Sequence, residues 1–294
     1  MLGRIALVLL FAALATPSLA QEKLKAVATF SILADFVKNV GGDRVEVQAL
    51  VGPNGDAHVY QPTPGDAKTL ADAKVVFVNG LGFEGWLERL IKASGSKATI
   101  VTATKGVKPR KSDDEHSHGG ADPHAWQSVA NAKIYVANIR DGLSAADPAG
   151  KSAYETNATN YLAKLDALDA EVKAAIDKIP ADRRKIITTH DAFGYFAAAY
   201  GVTFIAPQGV STESEVSAKD VAKIITQIRK QKIPAVFLEN VSDDRLLKRI
   251  GAESGARIGG TLYSDALTDG QGAAPTYLDM MRHNVKQLAE ALMS

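Results

Sequence analysis

Apolar residues in this chain follow two alternating rhythms, one of period two and one of period 3.6, and the change from one to the other marks the elements. Leu24 to Phe30 and Val45 to Val51 alternate as strands, with a helix between them that Ser31 is expected to cap and that stops at Gly41-Gly42. Helical patterns over 66–73 and 84–93 then alternate with short strands at Val75 to Val78 and Ala98 to Val101. After a helix ending near Leu143, the stretch from Lys151 to Ile179 holds neither Gly nor Pro. In it Tyr154, Ala158, Tyr161, Leu165, Leu168, Val172, Ala175 and Ile179 recur at steps of four and three, keeping one apolar stripe on one side of a helix. Asp147 is the expected N-cap, Pro148 the first helical residue, and Pro180 the stop.

Beyond Pro180 the alternation resumes. Strands are expected at Lys185 to Thr189, Val202 to Ala206, Pro234 to Leu238 and Ala256 to Tyr263, with helices at 192–200, 217–231, 243–254 and 275–293. Strands alternating with helices imply parallel sheets covered by helices. The expected fold is therefore α/β, with two lobes, each a mostly parallel sheet flanked by helices, joined by one long rigid helix. The expected boundaries are an N-terminal lobe over 21–146, a linking helix over 147–180 and a C-terminal lobe over 181–294.

Residues 1–20 read as a signal peptide: Arg4, an apolar run from Ile5 to Leu14, then Ser18-Leu19-Ala20 with small residues where a signal peptidase cuts. Pro17 and Ser18 interrupt the run too early for a membrane span. The expected location is the periplasm, without lipidation, because no cysteine follows the apolar run. The chain has no cysteine at all, so its stability does not rest on disulfides and any metal must be held by nitrogen and oxygen. A net charge of +1 leaves no electrostatic footprint for nucleic acid.

Open parallel sheets bind ligands beyond the carboxyl ends of their strands. His58, His190 and Asp265 lie at or just after such ends, and His124 lies on a loop before a helix. Three imidazoles and one carboxylate make a four-coordinate set suited to Zn²⁺. Taken residue by residue this set is only suggestive. A lone histidine is more often structural, an aspartate after a strand often caps the next helix, and no close-spaced pair such as HExxH occurs.

Asp122-Pro123-His124-Ala125-Trp126, Thr189-His190-Asp191-Ala192-Phe193-Gly194-Tyr195-Phe196, Ser211-Thr212-Glu213-Ser214-Glu215 and Tyr263-Ser264-Asp265-Ala266-Leu267 resemble, in order, the zinc/manganese solute-binding proteins of metal ABC transporters (cluster A-I, cluster 9). The resemblance covers essentially all of the chain after the signal peptide. It implies two α/β lobes on a rigid helix, with a metal ion in the cleft and ligands at His58, His124, His190 and Asp265. Manganese-preferring members carry a glutamate as third ligand, so His190 implies the zinc type.

The partner so implied is the membrane permease of an ABC transporter, with the protein a monomer and no enzyme. The family's histidine-rich loop is reduced here to His116 and His118 within 113–120, either a solvated acidic loop or an auxiliary metal or metal-chaperone docking site. Glu239, ending a strand, is placed either in solvent or behind a ligating imidazole. His283 is expected to be a surface side chain. Two alternatives remain open at this point: a manganese-selective member of the same family, and a secreted zinc hydrolase in which Asp265 is a base beside the metal rather than a ligand.

Overall fold

The computed structural model describes residues 22–111, 120–213 and 216–293. The signal segment, His116, His118, Ser214 and Glu215 therefore lie outside the described residues. The first lobe runs β1 (Leu24–Phe30), α1 (Ser31–Gly41), β2 (Val45–Val51), α2 (Pro64–Asp72), β3 (Val75–Val78), α3 (Leu87–Ser94) and β4 (Thr99–Thr102). The chain then crosses α4 (Val129–Ala146) and the long helix α5 (Lys151–Asp177). The second lobe runs β5 (Lys185–Ile187), α6 (Gly194–Tyr200), β6 (Thr203–Ile205), α7 (Ala218–Gln231), β7 (Ala235–Glu239), α8 (Arg245–Ser254) and β8 (Arg257–Leu262), and ends in α9 (Tyr277–Met293).

Both sheets have four strands, ordered β2-β1-β3-β4 and β6-β5-β7-β8, and every pairing within them is parallel. The shared order makes the two lobes repeats of one plan, and in each the strand order reverses at the pair in the middle: β1 with β3, and β5 with β7. Loops after these strands diverge and leave a crevice. The two crevices face each other across the cleft.

The linking helix is shorter at its start than the sequence predicts. Pro148–Gly150 forms a separate 3₁₀ turn, and Asp147 makes no side-chain cap. Its Oδ2 instead accepts from Tyr154 Oη (2.7 Å) and Arg44 Nη2 (3.0 Å), contacts that a capping geometry would give up. With 27 residues the helix is about 40 Å long. Tyr154, Ala158, Tyr161, Leu165, Leu168, Val172 and Ile176 form its buried stripe, packed on α1, α4, α6 and α9. Ile176 takes the place expected for Ala175, as a 3.6-residue period requires once the stripe has drifted over six turns.

Ser31 begins α1 but does not cap it. Its Oγ accepts from Leu267 N at 2.9 Å, tying the start of the first helix to the far end of the chain. The C-terminal helix completes the same core. Tyr277, Met280, Met281, Leu288 and Leu292 are buried with Phe30, Phe36, Phe77 and Trp126 in one cluster that runs through both lobes.

Candidate metal centre

His58 sits on the loop after β2. Asp56 Oδ1 accepts from His58 N (2.9 Å), a local turn that fixes the backbone, and Trp86 Nε1 donates to Ala57 O (2.7 Å). The same device recurs at the second histidine. Asp122 Oδ1 accepts from His124 N at 2.9 Å and also lies 2.9 Å from its Nδ1, while Asn79 Nδ2 donates to Pro123 O at 2.9 Å. Edge-on rings of Phe83 against His58 (4.8 Å between centroids) and Trp126 against His124 (5.3 Å) wall the site with apolar surface.

His190 follows β5 and is fully buried. Glu239, the last residue of β7, accepts from Thr189 N (2.6 Å) and His190 N (3.0 Å) through Oε1, and its Oε2 lies 2.5 Å from His190 Nδ1. Asp265 follows β8, and its segment is strapped to the first lobe. Trp126 Nε1 (2.9 Å) and Gln127 Nε2 (2.7 Å) both donate to Ser264 O, and Asn54 N donates to Leu267 O (2.8 Å). Asn54 has φ +55°, a left-handed turn position that asparagine tolerates.

These loops aim three Nε2 atoms and one carboxylate at one point. His58 Nε2 lies 3.2 Å from His124 Nε2 and 3.3 Å from Asp265 Oδ2. His190 Nε2 lies 3.1 Å from Asp265 Oδ2, and His124 Nε2 lies 3.6 Å from Asp265 Oδ1. One donor atom from each residue falls in a group whose members all lie within 4.8 Å of one another. A tetrahedral shell with metal–ligand bonds of about 2.05 Å has donor–donor edges of about 3.3 Å. Three of these separations, 3.2, 3.3 and 3.1 Å, share one donor atom per residue and lie within a few tenths of an ångström of that value; the fourth, 3.6 Å, is to the other Asp265 oxygen. Among the described residues both Asp265 carboxylate oxygens, both His190 ring nitrogens and Glu239 Oε2 are buried without a well-aligned hydrogen bond; Nδ1 and Oε2 face each other at 2.5 Å, and the Asp265 oxygens and Nε2 are directed at this centre.

Electrostatics sort the donors. Burial pushes the His58 imidazole below its usual range. Burial also works against a charge on His190, but Glu239 and Asp265 outweigh it and hold that imidazole well above its usual range. For Asp265, burial is opposed by His190 and His124, with contacts from His190 and His58, and the carboxyl is held well below its usual range. Asp265 is thus an anion at neutral pH. Three nitrogens and one anion can hold a divalent cation.

The structure also locates the remaining residues. Glu239 stands behind His190, not in solvent. His283 is half-buried, with Nε2 3.0 Å from Thr261 O and its ring on Tyr263, so the expected free surface side chain is a structural contact between α9 and β8. Sequence reasoning missed Asp56 and Asp122, although an Asp-x-His pattern at Asp56-Ala57-His58 and again at Asp122-Pro123-His124 was there to be read. It missed Trp126, Gln127 and Ser31 as the clamp on the Asp265 segment, for which no local pattern exists.

Residues 26–291 match the ZnuA family, described as zinc-uptake complex component A, periplasmic. The iron-binding protein YfeA of Yersinia pestis is 36% identical over 274 residues, covering 93% of this chain and 88% of the relative. The chain belongs to that family. Its members are metal-binding, substrate-binding components of ABC transporters, not enzymes, which removes the hydrolase alternative. The manganese ABC transporter substrate-binding lipoprotein PsaA of Streptococcus pneumoniae is 34% identical over 277 residues, covering 92% of this chain and 89% of that one. Among solved structures, the periplasmic zinc-binding protein TroA of Treponema pallidum superposes with a TM-score of 0.86 at 31% identity, over 92% of this chain and 99% of the other. The Mn-bound periplasmic metal-binding protein of Candidatus Liberibacter asiaticus gives 0.83 at 32% identity, over 92% of this chain and 100% of that one. Among the described residues, no helix is long and apolar enough to cross a membrane.

Proposed function

We propose that this protein captures Zn²⁺ in the periplasm, through His58, His124, His190 and Asp265, and delivers it to the membrane permease of an ABC transporter. In this reading the protein is exported by residues 1–20, is not lipidated and works as a monomer. The lobes 21–146 and 181–294 each supply half of the shell, and the 147–180 segment holds them at a fixed distance. The observation that carries the reading is the convergence of three imidazole nitrogens on one buried carboxylate, with separations of 3.1 to 3.6 Å. Imidazole as the third donor favours Zn²⁺, whereas a second carboxylate there suits Mn²⁺ better. Relatives named for iron, manganese and zinc share the family, so the ion is a matter for measurement.

The test is elemental analysis of protein purified without added metal, repeated on His190→Ala. Zinc at one ion per chain in the wild type and its loss from the variant are expected. Manganese in its place would select the manganese reading, and unchanged zinc in the variant would remove His190 from the shell. Binding also requires the His190 proton to leave, because the charged imidazole has no lone pair to offer. Its protonation is favoured by Glu239 and Asp265, so affinity is expected to fall steadily as pH falls. Calorimetry in buffers of different protonation enthalpy would read the proton released.

A further inference from the structure

The geometry points to Glu239 as a positioning residue that fixes which nitrogen of His190 faces the metal. This inference rests on His190 being a ligand. The two carboxylate oxygens have separate tasks: Oε1 receives the backbone N–H of Thr189 and of His190, and Oε2 lies 2.5 Å from His190 Nδ1. All of these groups are buried, so no solvent competes for them. A carboxylate in that place accepts only. The neutral ring must therefore carry its proton on Nδ1 and turn the Nε2 lone pair toward His58, His124 and Asp265.

The first lobe shows what a half-buried glutamate does without a histidine in front of it. Glu84 Oε1 accepts from Asn79 N (2.6 Å) and Thr29 Oγ1 (2.7 Å), and its Oε2 accepts from Gly80 N (3.1 Å). There the carboxylate only ties the loop after β3 to the end of β1. Glu239 ties a loop in the same way with one oxygen and keeps the other for the ring. The tie and the orientation can therefore be separated by a substitution that preserves one and reverses the other.

Glu239→Gln is that substitution. If its amide oxygen takes over the two backbone N–H groups, its NH₂ faces His190 Nδ1 and demands a lone pair there. The proton then moves to Nε2 and blocks the metal. If the amide flips, the two backbone donors face another donor. Either way the side chain can no longer perform both tasks, while its size is kept: one orientation reverses the ring, the other gives up the backbone tie.

Zinc affinity of Glu239→Gln is expected to fall about 10–100-fold. In a His190→Ala background the same exchange is expected to change affinity less than about twofold, because the effect runs through that ring. A long-range ¹H–¹⁵N spectrum of the zinc-loaded wild type is expected to show the His190 proton on Nδ1. Wild-type affinity in Glu239→Gln, an undiminished loss in the His190→Ala background, or a proton on Nε2 would each overturn the role. Should Glu239→Gln not fold, Glu239→Asp carries the same test: it keeps the charge but is one methylene short, and a smaller loss, again absent without His190, is expected. Zinc retention by His190→Ala itself would instead sink the ligand set of the proposed function, a separate result.

Discussion

The two lobes repeat one strand order but are packed differently. In the first, β1 and β2 are seven residues long, and both faces of the sheet share one core with α1, α4, α5 and α9. In the second, β5 and β6 have three residues each, and the sheet divides two cores. Ile186, Ala235 and Phe237 face the large cluster, while their neighbours Ile187 and Val236 face a small one built from Val221, Ile224, Ile225 and Ile228 on α7 with Leu247 and Ile250 on α8. Alternation of side chains along a strand makes this division automatic. The segments that carry His58 and Asp265 are tied by hydrogen bonds to residues of the large core, Trp86 to Ala57 O and Trp126 to Ser264 O, and His124 directly precedes Ala125 and Trp126 of that core. His190 and Glu239 hang from strands whose outer face has only the small core behind it. Local stability follows such differences in packing.

The largest effects should come from the cores themselves. Phe77→Ala, in the large cluster, is expected to cost about 3–5 kcal/mol and to lower the melting of the whole protein. Ile228→Ala, in the small cluster, is expected to cost about 2–5 kcal/mol, with loss of amide-exchange protection confined to β5–β8, α7 and α8. Equal loss of protection in β1 and β3 would show that the two clusters unfold as one and would break the distinction between the lobes.

A smaller effect is expected where the large core closes on itself. Asp35 on α1 is buried, and its Oδ2 accepts from Tyr277 N at 3.0 Å, pinning the start of α9. Burial outweighs this hydrogen bond and raises its pKa from the ordinary 3.8 to about 6. A carboxyl with a raised folded-state pKa binds its proton more tightly when folded, so its contribution favours the fold below pH 3.8 and is lost as pH rises through 6. Asp35→Asn cannot ionise. It is expected to be more stable than wild type by up to about 3 kcal/mol at pH 8, with the gain vanishing below about pH 4. Melting temperatures across that range would check it; a constant offset would mean that charge is not the cause.

Two milder substitutions sharpen the picture. Trp126→Phe removes one of the two donors on Ser264 O and leaves Gln127, so a loss of about 1 kcal/mol is expected in denaturant unfolding. Arg282→Ala removes an exposed pair with Glu171 between α9 and α5. About 0.5 kcal/mol or less is expected, because exposed pairs are screened by water and salt; a larger loss would make the α5–α9 contact electrostatic and not apolar.

Much of the fold was legible because it is written in local periodicity. The ranges Leu24–Phe30, Val45–Val51 and Val75–Val78 emerge as expected, and helix ends move by a few residues where capping chemistry competes with tertiary contacts. Asp147 and Ser31 show that competition: each has the chemistry of a cap, and each is used for a contact more than 100 residues away in sequence. The four converging side chains were legible from strand ends together with a family resemblance. What surrounds them was less so. Glu239 could be named from its place at the end of β7, but that it divides its two oxygens between backbone and ring depends on a separation of 49 residues that only folding closes.

The C-terminal helix fills the large core, and Leu267 is hydrogen-bonded to Ser31. A chain emerging from the ribosome or crossing a membrane N-terminus first therefore presents its first lobe long before the piece that finishes it exists. Until residues beyond about 264 have arrived, Phe36 and Trp126 have no cover on that side, and the carboxylate at position 265 is missing from the centre. The protein reaches its finished state at the end of synthesis, and a truncated product would be left with neither a closed interior nor a complete set of donors.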